Sequence, residues 1–440
     1  MKLSDNVLLK HNVIVRKISN QYFILENHTD YSKAKIPEIS LEAVSIVEYI
    51  KRKRTVCEIV NKFSPKCSEE SIKSFLIYLK NNGFVYIYDN SHDKKFISDL
   101  VSTKWSQERN FYGCTIELLP SCNFRCVHCY LDENHGDNKL MTTKQIKNLI
   151  DKLYNAGLLM VFFSGGEVFL RSDLEEIYIY TRKKGILVEF YTNGSLIDDH
   201  WIEIFKEYPP VEIDISLYGS NEEMYRKVTL REGMFEKVIT NINKLVEAGI
   251  NVSLKTPIFT LLEDDLKNMI LLSQKLGVPY RFTFSINPTI NNVSKECYQI
   301  PADRAAKLFK KYSDAYMTYK KALEDYEKNT MQLAKKKYFC STGRCSAFID
   351  YKGNISPCIE MRNKGISVFK KDFDILWKYV KSFSYECLKD EDEYKCLSCK
   401  YVPLCDSCPA IRERINGSPL IVKDDNCRYA KELYKIMKNE

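Results

Sequence analysis

The sequence lacks any apolar run near the ~20 residues a helix needs to cross a bilayer, so no membrane-spanning class is expected. Met1 to Lys10 holds no sustained apolar stretch and no small-residue cleavage site. The expectation is therefore a chain without an export signal that stays in the cytoplasm. Strong charge of one sign is also missing: the net charge is +8 and the pI about 8.6. Solvated, Lys-rich helix faces account for such a bias. It tolerates an acidic peptide, but no concentrated basic helix argues for nucleic acid. Neither nucleic acid nor membrane is expected as a partner. With 440 residues, 45% hydrophobic and 28% charged, the chain reads as a soluble globular protein of about two to four domains.

Cysteine is what the chain has in quantity: there are 16. A reducing compartment disfavours disulfides, and thiols gathered there usually serve metal or redox chemistry.

Three regions separate by pattern. In the first, residues 1–90, Asn12 to Arg16 and Gln21 to Leu25 read as strands. Leu41 to Lys51 has apolar residues at helical spacing, and Thr55 with Glu58 forms a capping box opening a second helix. A third helix carries Ile72, Phe75, Leu76 and Leu79, with Gly83 at its end, and Phe84 to Tyr88 reads as a closing strand. The order matches a winged-helix-like module. Residues 91–110 read as a polar linker.

The second region, 111–325, alternates strand and helix. Strand candidates are Thr115–Leu118, Leu158–Phe163, Ile186–Tyr191, Val211–Leu217, Ile250–Thr256 and Tyr280–Ile286. Capping boxes Thr142/Gln145 and Thr260/Glu263 start two of the helices, and Gly157, Gly185, Gly249 and Gly277 mark helix-to-strand turns. Six βα repeats imply an α/β fold with a parallel sheet, most economically a partial (β/α)6 TIM-like barrel. Its chemistry belongs at the C-terminal strand ends. The third region, 326–440, is Cys-rich with few periodic segments, and ligation is expected to stabilise it.

The first barrel strand is followed by Cys122-x3-Cys126-x2-Cys129. Three thiolates on one loop hold three irons of a cubane, which otherwise takes four Cys. The fourth iron keeps the open position a catalytic metal needs. A zinc knuckle is the alternative, but His128, between Cys126 and Cys129, is a poor fourth ligand. The run resembles the signature of the radical S-adenosylmethionine superfamily, with His128 in the place of its aromatic residue. The resemblance implies that the cofactor chelates the open iron, that an electron splits its sulfur–C5′ bond, and that a 5′-deoxyadenosyl radical abstracts a substrate hydrogen.

Further matches follow in chain order. Ser164-Gly165-Gly166-Glu167 resembles the family's ammonium-binding motif, two glycines allowing close backbone approach and Glu167 accepting from the cofactor. Val168 stands where the family often has Pro. Tyr191-Thr192-Asn193-Gly194 resembles its third strand end. By resemblance Ser216 bonds the ribose and Arg226 meets the cofactor carboxylate.

In the third region Cys340, Cys345, Cys358, Cys396, Cys399, Cys405, Cys408 and Cys427 resemble a SPASM extension, with two residues between the last two cysteines of the run where three are usual. The resemblance implies one auxiliary cluster on Cys340, Cys345, Cys358 and Cys408, and another on Cys396, Cys399, Cys405 and Cys427, hence three 4Fe–4S clusters in all. Zinc sites or a single auxiliary cluster are the alternatives. Cys57, Cys67, Cys114, Cys297 and Cys387 have no partner by pattern.

Residues 1–90 resemble the leader-recognition module of peptide maturases, related to the chaperone of coenzyme PQQ biosynthesis. Such a module binds a leader by strand addition. Together these imply a maturase that acts on a ribosomally made precursor peptide, with flavodoxin or ferredoxin as electron donor. A thioether from Cys, as in sactipeptide and ranthipeptide maturases, is the expected bond. A carbon–carbon crosslink or epimerisation is an alternative, as is a sulfatase-type maturase. In the last family Asp follows the cysteine equivalent to Cys358, whereas here Ile359 follows. Lys255, Tyr218 and Glu360 are candidates for a substrate base by position only.

Overall fold

Strand residues alternate between two faces, so each buried strand hands one set of side chains to a packed layer and the other to whatever lies opposite. In the computed structural model, residues 6–9, 13–18, 21–26, 38–50, 54–82, 84–87, 111–131, 139–328, 343–383, 396, 399–405, 408–422 and 424–439 are described. The expected linker 91–110, together with Cys340 and Cys387, lies outside them.

The N-terminal part comprises β1 (Asn6–Leu9), β2 (Val13–Ile18), β3 (Gln21–Glu26), β4 (Glu38–Ile39), α1 (Leu41–Tyr49), β5 (Arg54–Thr55), α2 (Val56–Phe63), α3 (Glu69–Asn81) and β6 (Val85–Ile87). Two antiparallel sheets form, ordered β5-β1-β6 and β2-β3-β4. Val7, Ile24, Val47, Ile59 and Leu76 make a core of their own. Ser40 caps α1 through the Ala43 N–H and Ser68 caps α3 through the Ser71 N–H. β1 and β5 are too short to show in a hydrophobic pattern. Thr55, expected to open a capping box, pairs as the last residue of β5, and the helix begins at Val56.

The central part runs β7 (Gly113–Glu117), α4 (Thr143–Asn155), β8 (Met160–Ser164), α5 (Leu174–Lys183), β9 (Leu187–Thr192), α6 (Asp199–Glu207), β10 (Glu212–Ser216), α7 (Glu222–Thr229), α8 (Met234–Glu247), β11 (Val252–Pro257), α9 (Leu266–Leu276) and β12 (Tyr280–Thr283). The six strands lie parallel in sequence order, an α/β arrangement. Val161, Phe163, Val188 and Phe190 face one way into the main core. Phe162, Ser164 and Tyr191, in the alternate positions, line a cavity. The Thr142/Gln145 capping box is formed in both directions. The Thr260/Glu263 box is not: α9 starts only at Leu266. Asp265 is held there by the N–H and hydroxyl of Ser220, and Glu263 pairs with Arg304 across the surface.

The rest adds α10 (Ala302–Tyr312), α11 (Tyr316–Lys328), β13 (Ser346–Ile349), β14 (Asn354–Ser356), β15 (Ile366–Ser367), α12 (Phe373–Lys381), α13 (Pro409–Asn416) and α14 (Asp424–Lys438). β13 pairs parallel to the free edge of β7, with Ser346 opposite Gly113, and β14 and β15 extend the sheet to nine strands. The Cys-rich region was expected to rest on ligation, yet its first segment belongs to the central sheet. Phe373 and Trp377 of α12 close on Phe111, with ring centroids 4.7 and 5.0 Å away. Among the described residues no helix is long and apolar enough to cross a membrane.

Candidate active site

The loop after β7 carries Cys122, Cys126 and Cys129, and backbone bonds from several directions fix it. The N–H groups of Arg125 and Val127 donate to the Thr229 and Val228 carbonyls at the end of α7, at 2.9 and 3.0 Å. The Ile290 N–H donates to the Tyr130 carbonyl and the Lys295 ammonium to that of Val127. All three thiols line one cavity of about 1100 Å³, ample for a cofactor plus part of a second molecule.

Gly165 and Gly166 show why the second strand must end in glycine. A Cβ on Gly165 would stand 2.4 Å from the Leu119 carbonyl oxygen, and one on Gly166 would stand 2.2 Å from that of Ser121. The Gly166 and Glu167 N–H groups donate to these same carbonyls at 2.9 Å. The glycines thus seat the cysteine loop against the strand end, and both also line the cavity.

Glu167 is fully buried. Its carboxylate accepts from the Thr192 hydroxyl and the Asn193 N–H at 2.7 Å, and from the Phe169 N–H at 3.1 Å. Burial raises its pKa, and those three donors partly offset the shift. The carboxylate is enclosed by its own chain and does not itself line the cavity, so its contact to a cofactor ammonium stays an expectation of the sequence. Asn193 donates to Asn123 at 2.8 Å and accepts from the N–H and hydroxyl of Ser195, while Asn123 reaches Ser195 at 2.9 Å. This ring of amides and hydroxyls ties the third strand end to the cysteine loop.

Ser216 lines the cavity beside Lys255, its partner in register on β11. Lys255 donates to Asp214 at 2.9 Å and lies 3.6 Å above the Tyr191 ring centroid. Arg226 does not join them. It is exposed on α7, because Tyr225, Val228 and Thr229 take that helix's inward positions.

His128 is held between Tyr218 and Phe259, with ring centroids 5.1 and 4.8 Å away. Burial, aided by Lys295, lowers its pKa to about 4, leaving a neutral imidazole. Its Nδ1 is buried without a hydrogen-bond partner in a residue that lines the cavity. An unsatisfied buried ring nitrogen invites a polar ligand group. Burial also raises the Cys122 thiol to about 11 and Cys126 well above its usual range. Thiols so disfavoured as bare thiolates are suited to ionise on a metal. Among the described residues no three Cys, His, Asp or Glu side chains converge on a single ion position. A cubane, whose irons occupy separate corners, does not require that. By donor set and cradle the site fits an iron–sulfur cluster with a nucleoside-bearing cofactor.

Cys358 lines the same cavity from the other side. Cys345 is fully buried at the start of β13. Cys408 is the N-cap residue of α13, and this helix is bound to the turn after Cys358 by Arg414–Glu360 at 2.7 Å and by Lys364–Glu413. Cys396 and Cys399 share a turn, Cys405 follows the short 3-10 helix Val402–Leu404, and Cys427 lies in α14. Sequence reasoning did not find Asn123, Arg412 or Arg414. Each works through a partner distant in the chain or in a separate element, and a single sequence carries no signal of such pairs.

Residues 116–273 match the Radical SAM superfamily. The chain is 25% identical to the antilisterial bacteriocin subtilosin biosynthesis protein AlbA of Bacillus subtilis (strain 168) over 319 residues, 67% of this chain and 66% of that protein. It is 24% identical to an AdoMet-dependent heme synthase of Methanosarcina barkeri over 315 residues, 67% of this chain and 90% of that one. The fold resembles that of Streptococcus suis SuiB bound to its precursor peptide SuiA, with TM-score 0.62, 15% identity, and coverage of 96% of this chain and 99% of that one. The superfamily match runs from the first strand through the GGE turn and on into α9, and the chain is a radical SAM enzyme related to the SPASM-type maturases of ribosomally made peptides.

Proposed function

We propose that the chain is a peptide maturase that installs a crosslink in a ribosomally made precursor, a thioether from Cys being the favoured bond. The observation that carries this is the convergence of three loop thiols, Gly165, Gly166 and Cys358 on one cavity wide enough for cofactor and substrate. The six parallel strands are read as a partial barrel whose inner face holds the chemistry. Likeness to AlbA and SuiB favours a peptide substrate over a porphyrin, because the described N-terminal part presents an antiparallel sheet and an apolar core beyond the barrel.

Cys122, Cys126 and Cys129 would hold a 4Fe–4S cluster with one open iron, to which S-adenosylmethionine binds. When bound, that pair would supply the radical chemistry for taking a hydrogen atom from the substrate. The chain's own residues do the rest by position. Gly165 and Gly166 present backbone beside the thiols. His128 offers a neutral ring nitrogen, and Ser216 a hydroxyl, along the same wall. Tyr191, Phe162 and Phe348 add aromatic surface to the cavity wall. Cys345, Cys358 and Cys408, with Cys340, are read as holding one auxiliary cluster, and Cys396, Cys399, Cys405 and Cys427 a second. An acceptor of this kind suits oxidative bond formation, in which the substrate loses a further electron and proton. Residues 1–90 are read as the leader-binding module, a strand of the leader adding to a sheet edge, with flavodoxin or ferredoxin supplying the reducing electron.

The test is the Cys122→Ala/Cys126→Ala/Cys129→Ala variant, purified anaerobically. It is expected to form no 5′-deoxyadenosine while keeping the iron of the auxiliary sites. Undiminished cofactor cleavage in that protein would overturn the assignment.

A further inference from the structure

Arg412 is an arginine where charge is hardest to keep. It is 5% exposed and sits one turn into α13, its N–H donating to the Cys408 carbonyl at 3.1 Å. Its Nη1 reaches the Cys396 sulfur at 3.4 Å. The contact joins the helix capped by Cys408 to the turn of Cys396 and Cys399. Burying a guanidinium is costly unless an anion lies close by. A neutral thiol would be a poor partner. A thiolate shared with a cluster would be a good one, since four thiolates leave such a cluster net negative and each added electron makes it more so.

We propose that Arg412 is a positioning residue that sets the reduction potential of the auxiliary cluster read above on Cys396, Cys399, Cys405 and Cys427. The inference rests on that reading of the cysteines. Its N–H···S bond and its charge both favour the more negative, reduced state. Hydrogen bonds to cluster sulfurs and local charge are the recognised levers on such potentials. The cluster that Arg412 touches is therefore easier to reduce than it would be without Arg412, and so a better acceptor for the electron that crosslinking releases.

The measurement is an EPR-monitored redox titration of full-length, anaerobically reconstituted protein. It compares wild type with Arg412→Met, Arg412→Gln and Arg412→Lys, with iron and sulfide assayed on each sample. Arg412→Met is expected to hold the same iron and to have a reduced-to-oxidised ratio of the auxiliary cluster about tenfold lower at a fixed poise, about 59 mV for a one-electron couple. Arg412→Lys, which keeps the charge but not the planar fork, should recover part of that. Should Arg412→Met fail to load iron, Arg412→Gln carries the same comparison. An unchanged midpoint in either loaded variant overturns the proposal while leaving the cluster reading intact. Failure of both to load would make Arg412 a folding residue of the site and equally overturn it. Wild-type protein with iron for the loop cluster alone would instead remove the reading beneath it.

Discussion

Glu167 accepts the backbone N–H of Asn193 at 2.7 Å, which locks the end of β8 to the end of β9 beneath the cysteine loop. Glu167→Ala leaves that N–H and the Thr192 hydroxyl without their acceptor inside the protein. Losing charge-assisted bonds of this kind costs about 2–3 kcal/mol. Thermal unfolding should show a lower Tm, and cofactor binding should weaken with it. Glu167→Gln keeps one carbonyl acceptor and should fall between the two. Full stability in Glu167→Ala would show that the lock has no mechanical role.

Gly166→Ala should be more damaging to the cluster than to the fold. The new methyl would meet backbone carbonyls of Pro120 and Ser121 rather than a movable side chain. Overpacking of this kind costs about 1–3 kcal/mol, and the cysteine loop is the element able to yield. The iron bound by the loop site should drop severalfold by colorimetric assay, with auxiliary iron retained.

Arg226→Ala should do almost nothing. The side chain is exposed and outside the cavity wall, and surface changes away from special features stay within about 0.5 kcal/mol. Cofactor cleavage at saturating S-adenosylmethionine should match wild type. A large rise in KM for the cofactor would restore the role that its place in the sequence suggested.

Glu189 predicts a fall in stability as pH rises from the carboxyl's ordinary value near 4.5 to about 8. It is buried on the inner face of β9 beside Glu212 and Asp214, with Lys255 and Arg281 opposing them, and its pKa is pushed up to about 8, chiefly by burial. A carboxyl whose folded pKa is raised binds more protons folded than unfolded. Its contribution is complete below the ordinary value near 4.5 and is lost as pH rises through about 8. Glu189→Gln should therefore flatten the decline in Tm between about pH 5 and pH 8. An identical slope in the variant would show that the decline has another origin.

Deleting residues 1–90 should weaken binding of the precursor peptide at least tenfold, by calorimetry or fluorescence anisotropy, while uncoupled cofactor cleavage persists. Equal affinity with and without the module would end the leader-binding reading.

Much of this architecture was legible because its signals are local. Six βα repeats, the Thr142/Gln145 box and the C-x3-C-x2-C spacing each declare themselves within a few residues. The helix expected at Thr260 failed because Asp265 answers to Ser220, 45 residues away, which no capping pattern reports. The exposed place of Arg226 on α7 was hidden for a related reason: motif order says which strand end a residue follows, not which side of a helix it takes. The ring of Asn123, Asn193 and Ser195 was invisible because each is an ordinary turn residue until the fold brings them together.

β13 borrows its only parallel neighbour from a strand more than two hundred residues earlier in the chain. The cysteine-rich segment is therefore grafted into the catalytic sheet rather than appended to it. A shortened protein ending before Ser346 would bare a full strand edge on β7, an invitation to mispairing and aggregation. Engineers who wish to exchange the electron-handling portion between such enzymes should carry β7 and its cysteine loop along with it, and treat the two as a single inherited part.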